Sequence, residues 1–203
     1  MLINQLTAQA ESFKPNGVRL LNAGRLCSLL LISIFSASLA LADHSDEHKM
    51  PETPPNISSP ELNRIKALEG KWKSTTSMFG KKDEQVFTKY EVTAGGSAVV
   101  ETIFPGTPNE MVSVYYDDDQ GKLAMTHYCM MRNRPQFSLV ESDKDKLKLD
   151  VTRVEGLKSK DDPSMGAMTI TFEDKNHFSS TCEGRGKTET KQEPMTMRYT
   201  RVK

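Results

Sequence analysis

From Lys71 to the C-terminus, apolar residues recur at every second position over short stretches, and turn-forming residues bound each stretch. A period of two places successive side chains on opposite faces of an extended chain. Ten strands follow from it: Lys71–Phe79, Glu84–Thr93, Ser97–Phe104, Met111–Tyr116, Lys122–Met131, Gln136–Glu141, Lys146–Val154, Ala167–Glu173, His177–Cys182 and Met195–Val202. The segments between them include "GKKD", "AGGS", "PGTPNE", "DDDQGK", "RNRP" and "DKN", all rich in residues that tolerate turn geometry. One stretch has helical spacing instead. Ser59-Pro60-Glu61 supplies a cap, a proline at the first helical position and a carboxylate in the first turn. Leu62, Ile65 and Leu68 follow on one face, and Gly70 is read as the stop. One short helix followed by about ten short strands predicts an all-β fold, an antiparallel barrel or sandwich.

Parity assigns the inward faces. Leu147, Leu149 and Val151 oppose Lys148, Asp150 and Thr152, and Met168, Ile170 and Phe172 oppose Thr169, Thr171 and Glu173. On Lys122–Met131 the better inward set is Leu123, Met125, His127, Cys129 and Met131. A thiol, an imidazole and two thioethers on one face would suit copper better than calcium or magnesium. No second dense cluster supplies further ligands, so methionines filling a roomy barrel are the reading adopted, and no metal site is assigned. Cys129 beside His127 does not make a catalytic pair, because side chains two apart on a strand stand parallel. No Gly-x-Ser-x-Gly, phosphate loop or paired catalytic carboxylates appear. No catalytic residue is therefore assigned, and the chain reads as a binder sooner than an enzyme. The acidic run before Gly121 reads as a hairpin tip, and His177 as a turn residue at a strand edge.

The N-terminus changes the picture of where the protein works. Leu26–Ala42 is an uncharged apolar run preceded by Arg19 and Arg25 and closed by Ala40-Leu41-Ala42. Those are the parts of an export signal cleaved before Asp43, which predicts a periplasmic or secreted protein without a membrane span after cleavage. The long leader before the apolar run places the start of translation nearer Val18. Three parts follow: a signal peptide over 1–42, a charged, proline-rich linker over 43–59 and a barrel domain over 60–203. His44 and His48 in the linker support only adventitious metal binding. Among 203 residues, 27 basic and 27 acidic side chains balance to a formal charge of +0, which leaves no electrostatic footprint for nucleic acid. Cys27 departs with the signal. Cys129 and Cys182 remain, on the fifth and ninth strands, across the barrel from each other in an up-and-down order. Two free, buried thiols are therefore predicted, even though an oxidising compartment permits a disulfide.

"GKW" at Gly70–Trp72 and "MRYTR" at Met197–Arg201 resemble the first and last strands of lipocalin and wider calycin barrels. The resemblance implies that Trp72 plugs one end and that Arg201, which shares parity with Met197 and Tyr199, stacks on its indole. "MVSVYYDDDQGKLAMTHYCMMRNRPQF", "MTITFEDKNHF" and "MRYTRV" resemble a family of exported bacterial proteins with a lipocalin-like barrel, which carry Thr-His-Tyr-Cys and then an Asn-x-Pro turn. That family's His-Met-His is replaced here by Ser164-Met165-Gly166, so no metal role through those histidines transfers. Nitrobindin-like haem-binding barrels are similar at greater distance. They favour Gly-x-Trp-x-Gly-x-Gly, where this chain has Ser74 and Thr76. The resemblance implies an antiparallel calycin-type barrel that holds a partly apolar small molecule. Met125, His127, Cys129 and Met131 would line its cavity, Arg132 and Asn133 would sit at the rim, and Trp72 and Arg201 would close the other end. A haem or redox enzyme and a side-chain-filled structural module of the cell envelope are the alternatives.

Overall fold

The computed structural model describes residues 57–187 and 193–203 together with Glu52 and Pro55. The predicted export signal, Cys27, His44, His48 and most of the predicted linker lie outside the described residues. Helix α1 (Pro60–Lys66) is followed by β1 (Gly70–Thr76), β2 (Glu84–Thr93), β3 (Ala98–Ile103), β4 (Met111–Asp117) and β5 (Leu123–Tyr128). The chain continues through β6 (Arg134–Ser142), β7 (Lys146–Glu155), β8 (Ser164–Asp174), β9 (His177–Arg185) and β10 (Met195–Arg201). All ten predicted strands are present. Each pairs antiparallel with its sequence neighbours, and β1 pairs with β10 to close the barrel, with Trp72 opposite Arg201. Closure leaves no free edge, so the all-β pattern resolves to a barrel and not a sandwich. Among the described residues, no helix is long and apolar enough to cross a membrane.

The two ends of the barrel differ in how they are filled. Helix α1 lies at the end where β1 begins and β10 finishes, and it buries Leu62 and Ile65. Its cap works as predicted, with the Ser59 hydroxyl accepting from Leu62 N at 2.9 Å. The same residue donates to Asp117 at the end of β4, through its hydroxyl at 2.6 Å and its backbone N–H at 2.7 Å. Below the helix, Phe178 stacks on Tyr199 at 4.4 Å and meets the Trp72 edge at 4.7 Å. Leu147, Leu149 and Ile170 complete a packed plug.

Gly70 does not stop the helix. The helix ends at Lys66 with Ala67 as a right-handed cap, and Gly70 is the first residue of β1 at φ +122°. A Cβ there would lie 3.1 Å from Arg201 Nη1, so the glycine admits the guanidinium. Arg201 lies over the Trp72 ring at 4.2 Å and donates to the carbonyls of Ala67 at 2.8 Å, Glu69 at 2.5 Å and Lys175 at 3.0 Å. Trp72 Nε1 donates to Leu68 O at 2.7 Å. Together the two side chains satisfy the carbonyls of Ala67, Leu68 and Glu69, which make up the connection from α1 to β1.

Candidate ligand-binding site

The opposite end of the barrel is not filled. A cavity of about 570 Å³ opens there, lined by residues from β3, β4, β5, β8, β9 and β10 and by the loops between them. Its lining is dominated by methionine, with Ile103 and Phe104 at one side. A few polar side chains interrupt it, and these are placed by strand register.

Tyr90, Glu101, Ser113 and His127 stand in direct register across β2, β3, β4 and β5, so their side chains share one inward face. Glu101 is 4 % exposed and lines the cavity. Its carboxylate accepts from Tyr90 Oη at 2.6 Å and Tyr115 Oη at 2.9 Å. Burial raises its pKa above the usual 4.5, although hydrogen bonds from Tyr90, Tyr115 and Ser113 act in the other direction. Desolvation therefore outweighs three hydrogen bonds, because no cation faces the carboxylate. His127 is 3 % exposed, and burial lowers its pKa from 6.5 to about 4, so the ring is neutral at physiological pH. Its Nδ1 lies 3.0 Å from Ser113 Oγ, and its Nε2 has no hydrogen-bond partner among the described residues. Ser164, at the start of β8, also lines the cavity with its buried hydroxyl lacking a partner. The cavity thus offers a carboxyl, an imidazole nitrogen and a hydroxyl to an occupant.

Ser113 lies between Glu101 and His127, which differs from a catalytic triad, where the imidazole stands between nucleophile and acid. Burial and the neighbouring Glu101 also push the Cys182 thiol up to about 12, so it is protonated and a poor nucleophile.

Several residues expected at the site are elsewhere. Strand β5 ends at Tyr128, three residues earlier than predicted, and Cys129 begins a turn in which Arg132 N–H donates to Cys129 O at 2.9 Å. Met125 has the inward parity but sits deep in the packed core, fully buried in register between Tyr115 and Phe137. It is not a cavity residue. Arg132 takes φ +63° at the tip of the turn, exposed and away from the lining. Asn133 is buried and ties this turn to the next loop, donating from Nδ2 to Pro163 O at 3.2 Å. Its role in the fold is to hold the rim, and it does not line the cavity. His127, Cys129 and Met131 do line it, Met131 from the mouth at 55 % exposure. Cys129 and Cys182 are both free thiols, each partly and not fully buried. Sequence reasoning missed Glu101, although its parity with Val99 and Ile103 marks it as an inward carboxylate.

A haem would need an imidazole aimed at iron and cations near its two propionates. His127 could supply the first. The described lining contains Glu101, Glu183 and Glu193 and neither lysine nor arginine. His177 is exposed, with Nδ1 3.0 Å from Asp174 Oδ2, and it begins β9 at the end closed by Arg201. Among the described residues, the lining thus offers a haem one imidazole and no cation.

No family model matches the chain, and no curated protein matches its sequence. Among solved structures, Rv2717c from M. tuberculosis is similar at 11 % identity over 72 % of this chain and 100 % of that chain, with a TM-score of 0.48.

Proposed function

We propose that this chain is an exported binding protein of the calycin type that holds one partly apolar small molecule in the open half of its barrel. The observation that carries this reading is the cavity itself. A barrel packed to both ends would be a scaffold, whereas this one is filled at the Trp72–Arg201 end and leaves about 570 Å³ at the other. Small-molecule sites enclose roughly 300–1,000 Å³ and pair an apolar wall with a few convergent polar groups. Thioethers supply an adaptable apolar wall, and Glu101, His127 and Ser164 supply the polar groups. Export rests on the apolar run and the Ala40-Leu41-Ala42 site.

Saturable one-to-one binding of a fluorescent apolar probe, such as a naphthalene sulfonate, tests the proposal. Ser180 lines the cavity from β9, and Ser180→Phe would fill part of the lumen. The variant is expected to weaken probe binding at least tenfold while the fold is retained by circular dichroism. Equal binding by both proteins would place the probe on the outer surface and remove the support for a lumenal site. Export is tested separately: N-terminal sequencing of the protein recovered outside the cytoplasm should begin at Asp43, and an intact chain in the membrane fraction would refute cleavage.

A further inference from the structure

Sulfur is segregated into the open half of the barrel. Every described methionine except Met125 lines the cavity, as do both described cysteines. The closed half is filled instead with Trp72, Tyr90, Phe178, Leu147, Leu149 and Ile170. Apolar packing alone gives no reason for such a division, since leucine and valine would line a cavity as well.

Three of these sulfurs are also in register on one wall. Cys182 of β9 is directly opposite Met168 of β8 on one side and Met195 of β10 on the other. All three line the cavity. Directly opposed residues on one face of an antiparallel pair have Cβ atoms ~4.5–5.5 Å apart. From that spacing two unbranched thioether arms can turn toward the sulfur between them. Cys129 lines the same cavity from the turn after β5.

We propose that Met168, Cys182 and Met195 form a binding site for a soft monovalent metal ion of the copper(I) class. Thioether and thiolate ligands suit copper(I), whereas carboxylate and water suit magnesium and calcium. Among the described residues no three His, Cys, Asp or Glu side chains gather, so the donor set is not that of a zinc site. On binding, the Cys182 S–H bond breaks, its proton leaves to solvent and a metal–sulfur bond forms, with no change in oxidation state. The site is independent of the small-molecule reading, because either occupant could bind without the other.

The test uses the full chain, reduced and handled anaerobically, competing for copper(I) against bathocuproine disulfonate, whose copper complex is read by absorbance. The wild type is expected to withdraw one copper(I) per chain. Cys182→Ser and the near-isosteric pair M168L and M195L are each expected to weaken withdrawal at least tenfold, and Met125→Leu to leave it unchanged. If Cys182→Ser fails to fold, the methionine pair decides alone. No withdrawal by folded wild type, or equal withdrawal by the methionine pair, would overturn the site. Probe binding measured on the same samples separates that failure from failure of the lumenal small-molecule reading.

Discussion

Burial moves two side chains of the cavity lining in opposite directions: His127 falls from 6.5 to about 4, and Glu101 rises above 4.5. Each shift carries a sign for stability. A neutral imidazole favoured by the fold contributes stability that is fully present above pH 6.5 and lost as pH falls toward 4. The loss amounts to roughly 3 kcal/mol by the linkage relation. His127→Gln should flatten that acid limb when denaturant midpoints are measured between pH 7 and pH 4. Limbs of equal slope would mean that the imidazole is protonated in the native state. For Glu101 the protonated form is favoured, so its contribution is complete below pH 4.5 and lost as pH rises through the folded value. The stability of wild type relative to Glu101→Gln should accordingly decline as pH rises from 4.5. A relative stability that rises instead would show the carboxylate to be stabilised by its tyrosines more than burial penalises it.

The element that depends most on a single residue is the junction of α1, β1 and β10. A seven-residue helix is too short to be stable by itself, so its place depends on its ends. Arg201 holds one end through three backbone carbonyls and the Trp72 face. Arg201→Ala should cost about 2–4 kcal/mol, more than a cation–π contact alone, because charged hydrogen bonds are lost with it. Arg201→Lys should recover less than half of that loss, since an ammonium cannot span carbonyls on two loops as the planar fork does. Full rescue by lysine would show that charge and not fork geometry holds the junction. At the other end, Ser59→Ala removes the cap and the hydroxyl tie to Asp117, leaving the backbone one, and should cost about 1–2 kcal/mol in chemical denaturation.

At the scale of the whole molecule, strand order keeps the two cysteines apart. β5 and β9 are separated by three intervening strands on one side of the closed barrel and five on the other. Thiol counting in denaturant without prior reduction should find both Cys129 and Cys182 reactive, as their free state in the fold requires. Finding neither would mean that they are bridged and that the cavity wall closes on itself.

The alternation of side chains was enough to place every strand, because a half-buried strand needs a period of two whatever surrounds it. It also placed His127 inside. The capping residues of α1 were likewise legible from local chemistry, and the pairing of Trp72 with Arg201 from the resemblance of the first and last strands to those of calycin barrels. Parity separates inside from outside but carries no height along the barrel axis. Met125 and Met131 have the same parity, yet one is buried in the plug and the other stands at the mouth. Asn133 and Arg132 adjoin each other in the same turn, yet one pins a loop and the other meets solvent. The carboxylate of Glu101 acquires its meaning only from Tyr90 and Tyr115, which reach it from β2 and β4. The same holds for Met168, Cys182 and Met195, which three different strands bring side by side. The period of the chain determined the strands and their inward faces by itself. Depth within the lumen, and which side chains from separate strands meet there, was decided by closure of the sheet, which sets the register between strands and the side chains that fill each level.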